Sequence, residues 1–195
     1  FTDMQSTNVG CQRIIFKPLN FSGMLQIRSG LDFNTHYEIG AGWDQTGDSS
    51  RQQDGRIINF WKCVQKGVVE NGWGIQAQTA RSGHQLFSSF RLLSEQSLNL
   101  SLAQDEKFIG VDFALSLSQG SATAVDKVVV NDWQKSTDVD SGWNRGLKTA
   151  QHYAKTTFDS ALAEHSAFWK KVWDVFDIEI EGDPDVLQGL RFSDF

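Results

Sequence analysis

The chain has 195 residues, of which 18 are basic and 24 acidic, giving a net charge of -6. Its content of 39% hydrophobic and 12% aromatic residues is that of a globular protein, which excludes disordered, collagen-like and low-complexity classes. Its apolar runs fall well short of the ~20 residues of a membrane span, and its scattered Lys and Arg residues exclude a nucleic-acid or anionic-membrane surface.

Residues alternate with a period of two up to about residue 133, which predicts β-strands. The clearest segment is 108–117, where Ile109, Val111, Phe113 and Leu115 alternate with smaller or polar residues. Turn signals such as Asn71–Gly72 and Gln119–Gly120 separate the segments. The predicted strands are 12–17, 23–29, 56–65, 74–79, 85–93, 97–103, 108–117 and 126–130. Short alternating strands at this spacing favour an antiparallel β-sandwich over residues 1–140.

The period changes near Trp143, and residues 141–182 read as a helical linker. From Leu147 to Phe176 the apolar residues recur in steps of three and four, which predicts one apolar helical stripe. The stripe fits one helix of roughly 30 residues, ~45 Å long, or two helices with a break near residues 160–164. Alternation at 177–180 predicts a short strand at the end of the linker.

Residues 183–195 predict the start of a further helix. Asp183 suits the N-cap and Pro184 the first helical position. The apolar stripe that begins at Val186 is still running at Phe195, and the sequence opens at Phe1 without an initiator Met. We therefore expect the chain to be an internal segment of a longer protein.

Motifs for catalysis or metal binding are scarce. The sequence has no G-x-S-x-G elbow and no P-loop. Cys11 and Cys63 are too few for a zinc site of four ligands, and His152 and His165 would lie about 140° apart on a helix. We therefore expect neither catalytic residues nor metal ligands in this segment.

Three of the seven tryptophans directly follow a glycine, namely Trp43, Trp73 and Trp143. Indoles at glycine-flanked turns can stack on sugar rings, because their flat faces match the C–H face of a pyranose. They are the candidate substrate-binding residues of the segment. The alternative is that they cover the edges of the sandwich or an interface.

Two stretches carry a resemblance to a known family: PLNFSGMLQIRSGLD at 18–32 and HSAFWKKVWDVFDIEIEGDPDVLQGLRFSDF at 165–195. They resemble the disaccharide phosphorylases that act on α-glucosides, the maltose, trehalose and kojibiose phosphorylase family, which is related to the acid trehalases. The resemblance implies a large N-terminal super-sandwich, linker helices and an (α/α)₆ barrel. Residues 1–140 would be the second part of that sandwich, and residues 183–195 the first helix of the catalytic barrel.

The resemblance also implies a function for the parent protein. An inverting phosphorylase would convert an α-glucosyl disaccharide and phosphate to glucose 1-phosphate and glucose, with phosphate as co-substrate and no other cofactor. The segment itself would be inactive, with the barrel of the same protein and a second copy in a homodimer as partners, in the cytoplasm. A trehalase-type hydrolase fits the same resemblance. The alternative from another class is a self-contained carbohydrate-binding or interaction sandwich.

Overall fold

The computed structural model describes residues 1–34, 36–38, 57–135 and 138–176, together with residues 182, 185, 186, 188 and 189. These residues form antiparallel strands followed by two helices. The elements in chain order are β1 (Val9–Phe16), β2 (Gly23–Asp32), β3 (His36–Glu38), β4 (Ile57–Asn59), β5 (Trp61–Val69), β6 (Gly72–Thr79), β7 (His84–Leu93), β8 (Ser101–Asp105), β9 (Phe108–Leu117), β10 (Thr123–Lys135), α1 (Val139–His152) and α2 (Phe158–Phe176).

The strands form two main sheets that face each other as a sandwich. The five-stranded sheet has the order β1-β10-β7-β6-β5, the three-stranded sheet has the order β2-β9-β8, and β3 pairs with β4 alone. Every pairing is antiparallel. The predicted antiparallel β-sandwich is therefore confirmed for the described residues.

The core between the sheets follows from the alternation in the sequence. In β9, Val111, Phe113 and Leu115 are buried, and they pack with Phe90 of β7 and Val125 of β10. Because successive side chains point to opposite faces of a sheet, Asp112 and Ala114 lie on the outer face of the same strand. One strand thus supplies both core and surface.

Two turns show why their glycines are there. Asn71 has φ of 62° between β5 and β6, and a Cβ on Gly72 would lie 2.1 Å from the carbonyl oxygen of Phe90. Gly120, between β9 and β10, has φ of +77°, which L side chains rarely adopt. Both positions were predicted as turns.

Several bounds differ from the prediction. β10 runs from Thr123 to Lys135 rather than 126–130, because it pairs with β1 from Thr123 to Val130 and with β7 from Asp126 to Lys135. The predicted strand 56–65 is divided into β4 and β5, and the strand predicted at 97–103 is β8 at Ser101–Asp105. The helical stripe breaks between His152 and Phe158, not near 160–164.

The division into sandwich, linker and barrel helix remains a prediction. The strand predicted at 177–180 lies outside the described residues. Of the helix predicted at 183–195, the structure describes residues 185, 186, 188 and 189, and their backbone is helical.

Candidate functional site

The outer face of the five-stranded sheet carries both helices, and α1 is seated there by two glycines one turn apart. A Cβ on Gly146 would lie 2.1 Å from Cγ of Phe87, and a Cβ on Gly142 would lie 2.2 Å from Oε1 of Gln85. Trp143 packs edge-on against the Phe87 ring, with 5.2 Å between centroids. The helix therefore approaches the sheet more closely than any larger side chain at these two positions would allow.

A buried carboxylate fixes α1 along the sheet. Asp132 of β10 is 9% exposed. It accepts hydrogen bonds from Nε of Arg145 at 2.6 Å and from Oγ1 of Thr149 at 2.6 Å, and the Arg145 guanidinium also donates to Gln134. A buried charge is tolerated when it is paired and hydrogen-bonded in this way. Asp132 is thus a structural carboxylate.

Arg91 of β7 reaches from the five-stranded sheet to the connection between the two helices. Its guanidinium donates to the carbonyl oxygen of Tyr153 at 2.9 Å and to that of Thr156. Both carbonyls belong to the connection that follows α1, which ends at His152. Burial lowers the pKa of Arg91, which remains charged at neutral pH. The arginine therefore ties the connection between α1 and α2 to the sheet.

The first turn of α2 is capped by a reciprocal pair. The backbone N–H of Ser160 donates to Oγ1 of Thr157 at 3.2 Å, and the backbone N–H of Thr157 donates to Oγ of Ser160 at 2.9 Å. This is the geometry of a capping box, which satisfies donors that a helix start leaves open. The cap separates α2 from α1 in spite of the continuous apolar stripe.

Arg13 of β1 anchors the start of α2 to the sheet. It donates to both carboxylate oxygens of Asp126 at 2.7 and 2.8 Å and to those of Asp159 at 2.9 and 3.1 Å, and its guanidinium lies 4.2 Å from the centroid of the Phe158 ring. These hydrogen bonds raise the pKa of Arg13 and lower the pKa of Asp159. Below them Ala161 is fully buried against the apolar side of β1 and β10. The start of α2 therefore has one defined seat.

The rest of α2 keeps much of its apolar surface accessible. Leu162 is 40% exposed and Val175 is 85% exposed, while Phe168 and Val172 are half-buried. A helix with apolar residues this far around its surface usually packs against more than one body. The helix is thus fixed at its first turns, and beyond them Phe168, Val172 and Val175 lie on one side of it with accessible apolar surface.

The charged residues of this face hold the two helices to the five-stranded sheet. The carboxylates of Asp126, Asp132 and Asp159 are each engaged by an arginine. Within the described residues, no group of three or more His, Cys, Asp or Glu side chains is arranged to hold a metal ion. Over the same residues, no helix combines the length and the hydropathy needed to cross a membrane.

The predicted sugar-stacking residues have different places. Trp73 lies in β6, half-buried, with its ring 5.5 Å from that of Phe90 in the core. Trp143 lies within α1 rather than in a turn, and packs on Phe87. Trp43 lies outside the described residues. The structure does not bring Trp73 and Trp143 together, because they lie on opposite faces of the five-stranded sheet, and their role as sugar contacts remains a prediction.

Both cysteines are free thiols. Cys11 is buried in the cluster beneath α2, and Cys63 of β5 is half-buried. Desolvation raises the pKa of each thiol, which lowers its reactivity at neutral pH.

Sequence reasoning missed the residues that hold the helices. Arg13 and Arg91 act on partners more than 60 positions away, so no local pattern reveals them. Gly142 and Gly146 did carry a signal, because two glycines one turn apart in a helix indicate a face of close packing.

Residues 1–172 match the family described as "Glycosyl hydrolase family 65, N-terminal domain". The chain belongs to glycosyl hydrolase family 65. The match spans all the described strands, α1 and most of α2.

The chain is also similar to two phosphorylase-named proteins. It is 23% identical over 181 residues to an alpha,alpha-trehalose phosphorylase of Thermoanaerobacter brockii, covering 92% of this chain and 23% of that protein. A solved structure of a human-microbiome protein, provisionally assigned as a kojibiose phosphorylase, superposes with a TM-score of 0.78 at 18% identity, over 98% of this chain and 23% of that one. The chain thus spans about a quarter of the length of each relative.

Proposed function

We propose that this chain is the non-catalytic N-terminal region of an enzyme that phosphorolyses α-glucosyl disaccharides. Its local task is to hold α2 in one orientation, so that the body following this helix is fixed against the sandwich. The observation that carries the proposal is the contrast within α2. Its start is clamped by Arg13 and Ala161, whereas further along Phe168 and Val172 are only half-buried and Val175, on the same side of the helix, is 85% exposed.

The partner of that apolar surface is, in this proposal, the helical catalytic barrel of the same protein. Burying an aliphatic side chain contributes about 1.5–3 kcal/mol, so several such positions along one helix form a substantial interface. The membership in family 65 and the names of the two relatives support a barrel with phosphorylase chemistry.

The reaction proposed for the parent is inverting phosphorolysis. A carboxylic acid donates a proton to the glycosidic oxygen of the leaving sugar while a phosphate oxygen attacks the anomeric carbon from the opposite face. The glycosidic C–O bond breaks, a C–O bond to phosphate forms, and glucose 1-phosphate and glucose are released. Phosphate is already an anionic nucleophile, so no protein base is needed. The acid and the phosphate donors are assigned to the barrel.

The experiment is to incubate the full-length protein with trehalose, kojibiose or maltose, with and without phosphate, and to follow glucose 1-phosphate. We expect one of these disaccharides to yield glucose 1-phosphate and glucose in equal amounts, and only when phosphate is present. Release of two glucose molecules without phosphate would identify a trehalase-type hydrolase and overturn the phosphorylase proposal.

A further inference from the structure

The outer face of the three-stranded sheet carries a polar groove. It lies on the opposite side of the sandwich from the two helices. Strand register places Gln26 of β2 opposite Ala114 of β9, with Arg28 opposite Asp112 on one side. Because Ala114 is the smallest side chain in the lining, it leaves a depression between longer neighbours. The groove has a volume of about 390 Å³, which lies in the range of small-molecule sites.

The connection from β7 to β8 forms the second wall of the groove and is held in place. The Gln96 amide donates to the carbonyl oxygen of Ser116 at 2.8 Å, and the Ser116 N–H donates back to Oε1 of Gln96 at 3.1 Å. This pair of bonds makes the Gln96 side chain act as a short added strand beside β9. Ser97 and Asn99, which follow it, line the groove. The polar wall is therefore set before any ligand arrives.

The lining is neutral and rich in hydrogen-bonding groups. Its amides and hydroxyls come from Gln26, Asn99, Ser101 and other polar residues. Its one carboxylate, Asp112, accepts two hydrogen bonds from the Arg28 guanidinium, at 2.7 and 2.8 Å. These bonds lower the pKa of Asp112, so the ion pair persists at neutral pH with no net charge.

An apolar contact completes the groove. Met24, which lies opposite Ser116 in the β2–β9 pairing and is 62% exposed, lines the groove together with Ala114. Amides and hydroxyls that face a small apolar patch match the alternation of hydroxyls and C–H groups on a pyranose. A phosphate or other anion is a poor match, because the guanidinium of Arg28 is already engaged by Asp112.

We propose that this groove is a saccharide-binding subsite, which takes one pyranose unit of a neutral oligosaccharide. The subsite is separate from the reaction assigned to the barrel, and it stands whether the parent is a phosphorylase or a hydrolase. Its role is to hold a carbohydrate chain on the sandwich. The affinity comes from the amide and hydroxyl contacts, with Met24 and Ala114 as the apolar contacts of the sugar.

The experiment reads the groove directly through Met24. The full-length protein is labelled with ¹³C in its methionine methyl groups, and the Met24 signal is assigned by Met24→Leu. The probe is S-linked maltotriose, whose thioglycosidic bonds resist cleavage, and inorganic phosphate is titrated in parallel. We expect saturable shifts of the Met24 methyl with the saccharide and none with phosphate. Met4, the other methionine of this chain, lies outside the groove and is the internal reference.

Variants separate the groove from the rest of the sheet. Gln26→Ala combined with Asn99→Ala removes two exposed amides and should weaken binding at Met24 about tenfold, and Ala114→Leu should abolish it by filling the floor. Gln104→Ala, an exposed glutamine of β8 outside the lining, should leave binding unchanged. A Met24 signal that does not move with the saccharide, that moves with phosphate, or that moves equally in all variants would overturn the proposal. None of these outcomes bears on the phosphorolysis assay, so the two proposals fail independently.

Discussion

Replacing Gly146 by alanine tests the seat of α1 with the smallest possible change. In an exposed helix interior, Gly to Ala stabilises a protein by about 1 kcal/mol, because alanine loses less backbone entropy. In this structure the new methyl would lie 2.1 Å from Cγ of Phe87 and 2.4 and 2.5 Å from its Cδ atoms. Ordinary carbon contacts begin near 3.5 Å, so helix and ring must separate by more than an ångström.

The size of the effect follows from these opposing terms. Phe87 is 1% exposed and packs against Trp143, so the ring has little room to yield. Overpacking of a core costs about 1–3 kcal/mol, occasionally more. After the helix propensity gain of about 1 kcal/mol is subtracted, we expect a net loss of up to about 2 kcal/mol. For a chain of this length that corresponds to a fall in Tm of up to about 8 °C.

The assay is reversible unfolding by denaturant, followed by circular dichroism. The matched control is Gly67→Ala in β5, where an added Cβ meets nothing within 4 Å; its unfolding free energy should change by less than about 0.5 kcal/mol. Combining Gly146→Ala with Phe87→Leu should cost less than the sum of the single changes, because the two residues share one contact. A Gly146→Ala protein that is more stable than the original would refute the close approach of α1 to the sheet.

Three further predictions concern the fastening of the helices. Arg13→Lys should destabilise the protein by about 1–3 kcal/mol in urea unfolding, because an ammonium cannot serve two carboxylates and the Phe158 ring as a guanidinium does; equal stability of the two proteins would contradict the anchor. Arg13 hydrogen-bonds to Asp159 and lowers its pKa, so the stabilising effect of this carboxylate is complete above its ordinary pKa of about 4 and is lost as pH falls through the lowered value. In Asp159→Asn the free energy of unfolding should therefore depend less on pH in the acid range. An unchanged pH dependence would argue against the ion pair. Arg91→Met should cost about 1–3 kcal/mol, since it removes the Arg91 donor from the carbonyl oxygen of Thr156 and leaves that of Tyr153 with the Thr156 N–H alone. Amide exchange should rise first at residues 153–157, and unchanged exchange there would refute the role of Arg91 in holding the connection.

The strands could be predicted where one face is buried and the turns are local. β9 was predicted with its observed bounds, because its odd-numbered residues fill the core and its even-numbered residues face outward. The turns at Gly72 and Gly120 were predicted because these segments contain glycine. The structure requires glycine at both positions, since a Cβ on Gly72 would clash with Phe90 and Gly120 has a positive φ. In these segments the local residue pattern alone indicates which side chains are buried and where the chain turns.

The second half of β10 could not be predicted in this way. Residues 131–135 are Asn, Asp, Trp, Gln and Lys, which show no apolar alternation, and they are strand because β7 pairs with them as far as His84. Their outward-facing polar side chains hold α1 instead of meeting water. The long-range pairing with β7 determines the strand conformation of residues 131–135, and the local residue pattern does not predict it.

The break between the helices had a local signal that the apolar stripe obscured. Thr157 and Ser160 are spaced as a capping box, but the recurrence of apolar residues favoured a continuous helix or a later break. Arg91 holds the connection at this break from a strand 62 positions earlier in the sequence, a contact that no local pattern indicates. The groove also depends on residues far apart in the sequence, because its two walls come from β2 and from the connection before β8.

The central claim is that α2 is fastened at its start and presents its remaining apolar surface to the body that follows. Hydrogen exchange of α2, compared between this chain and the full-length protein, tests it most directly. The account predicts that residues 158–165 are protected in both proteins, whereas residues 166–176 gain strong protection only in the full-length protein. Equal, weak protection of residues 166–176 in both would contradict it, because α2 would then have no partner to hold.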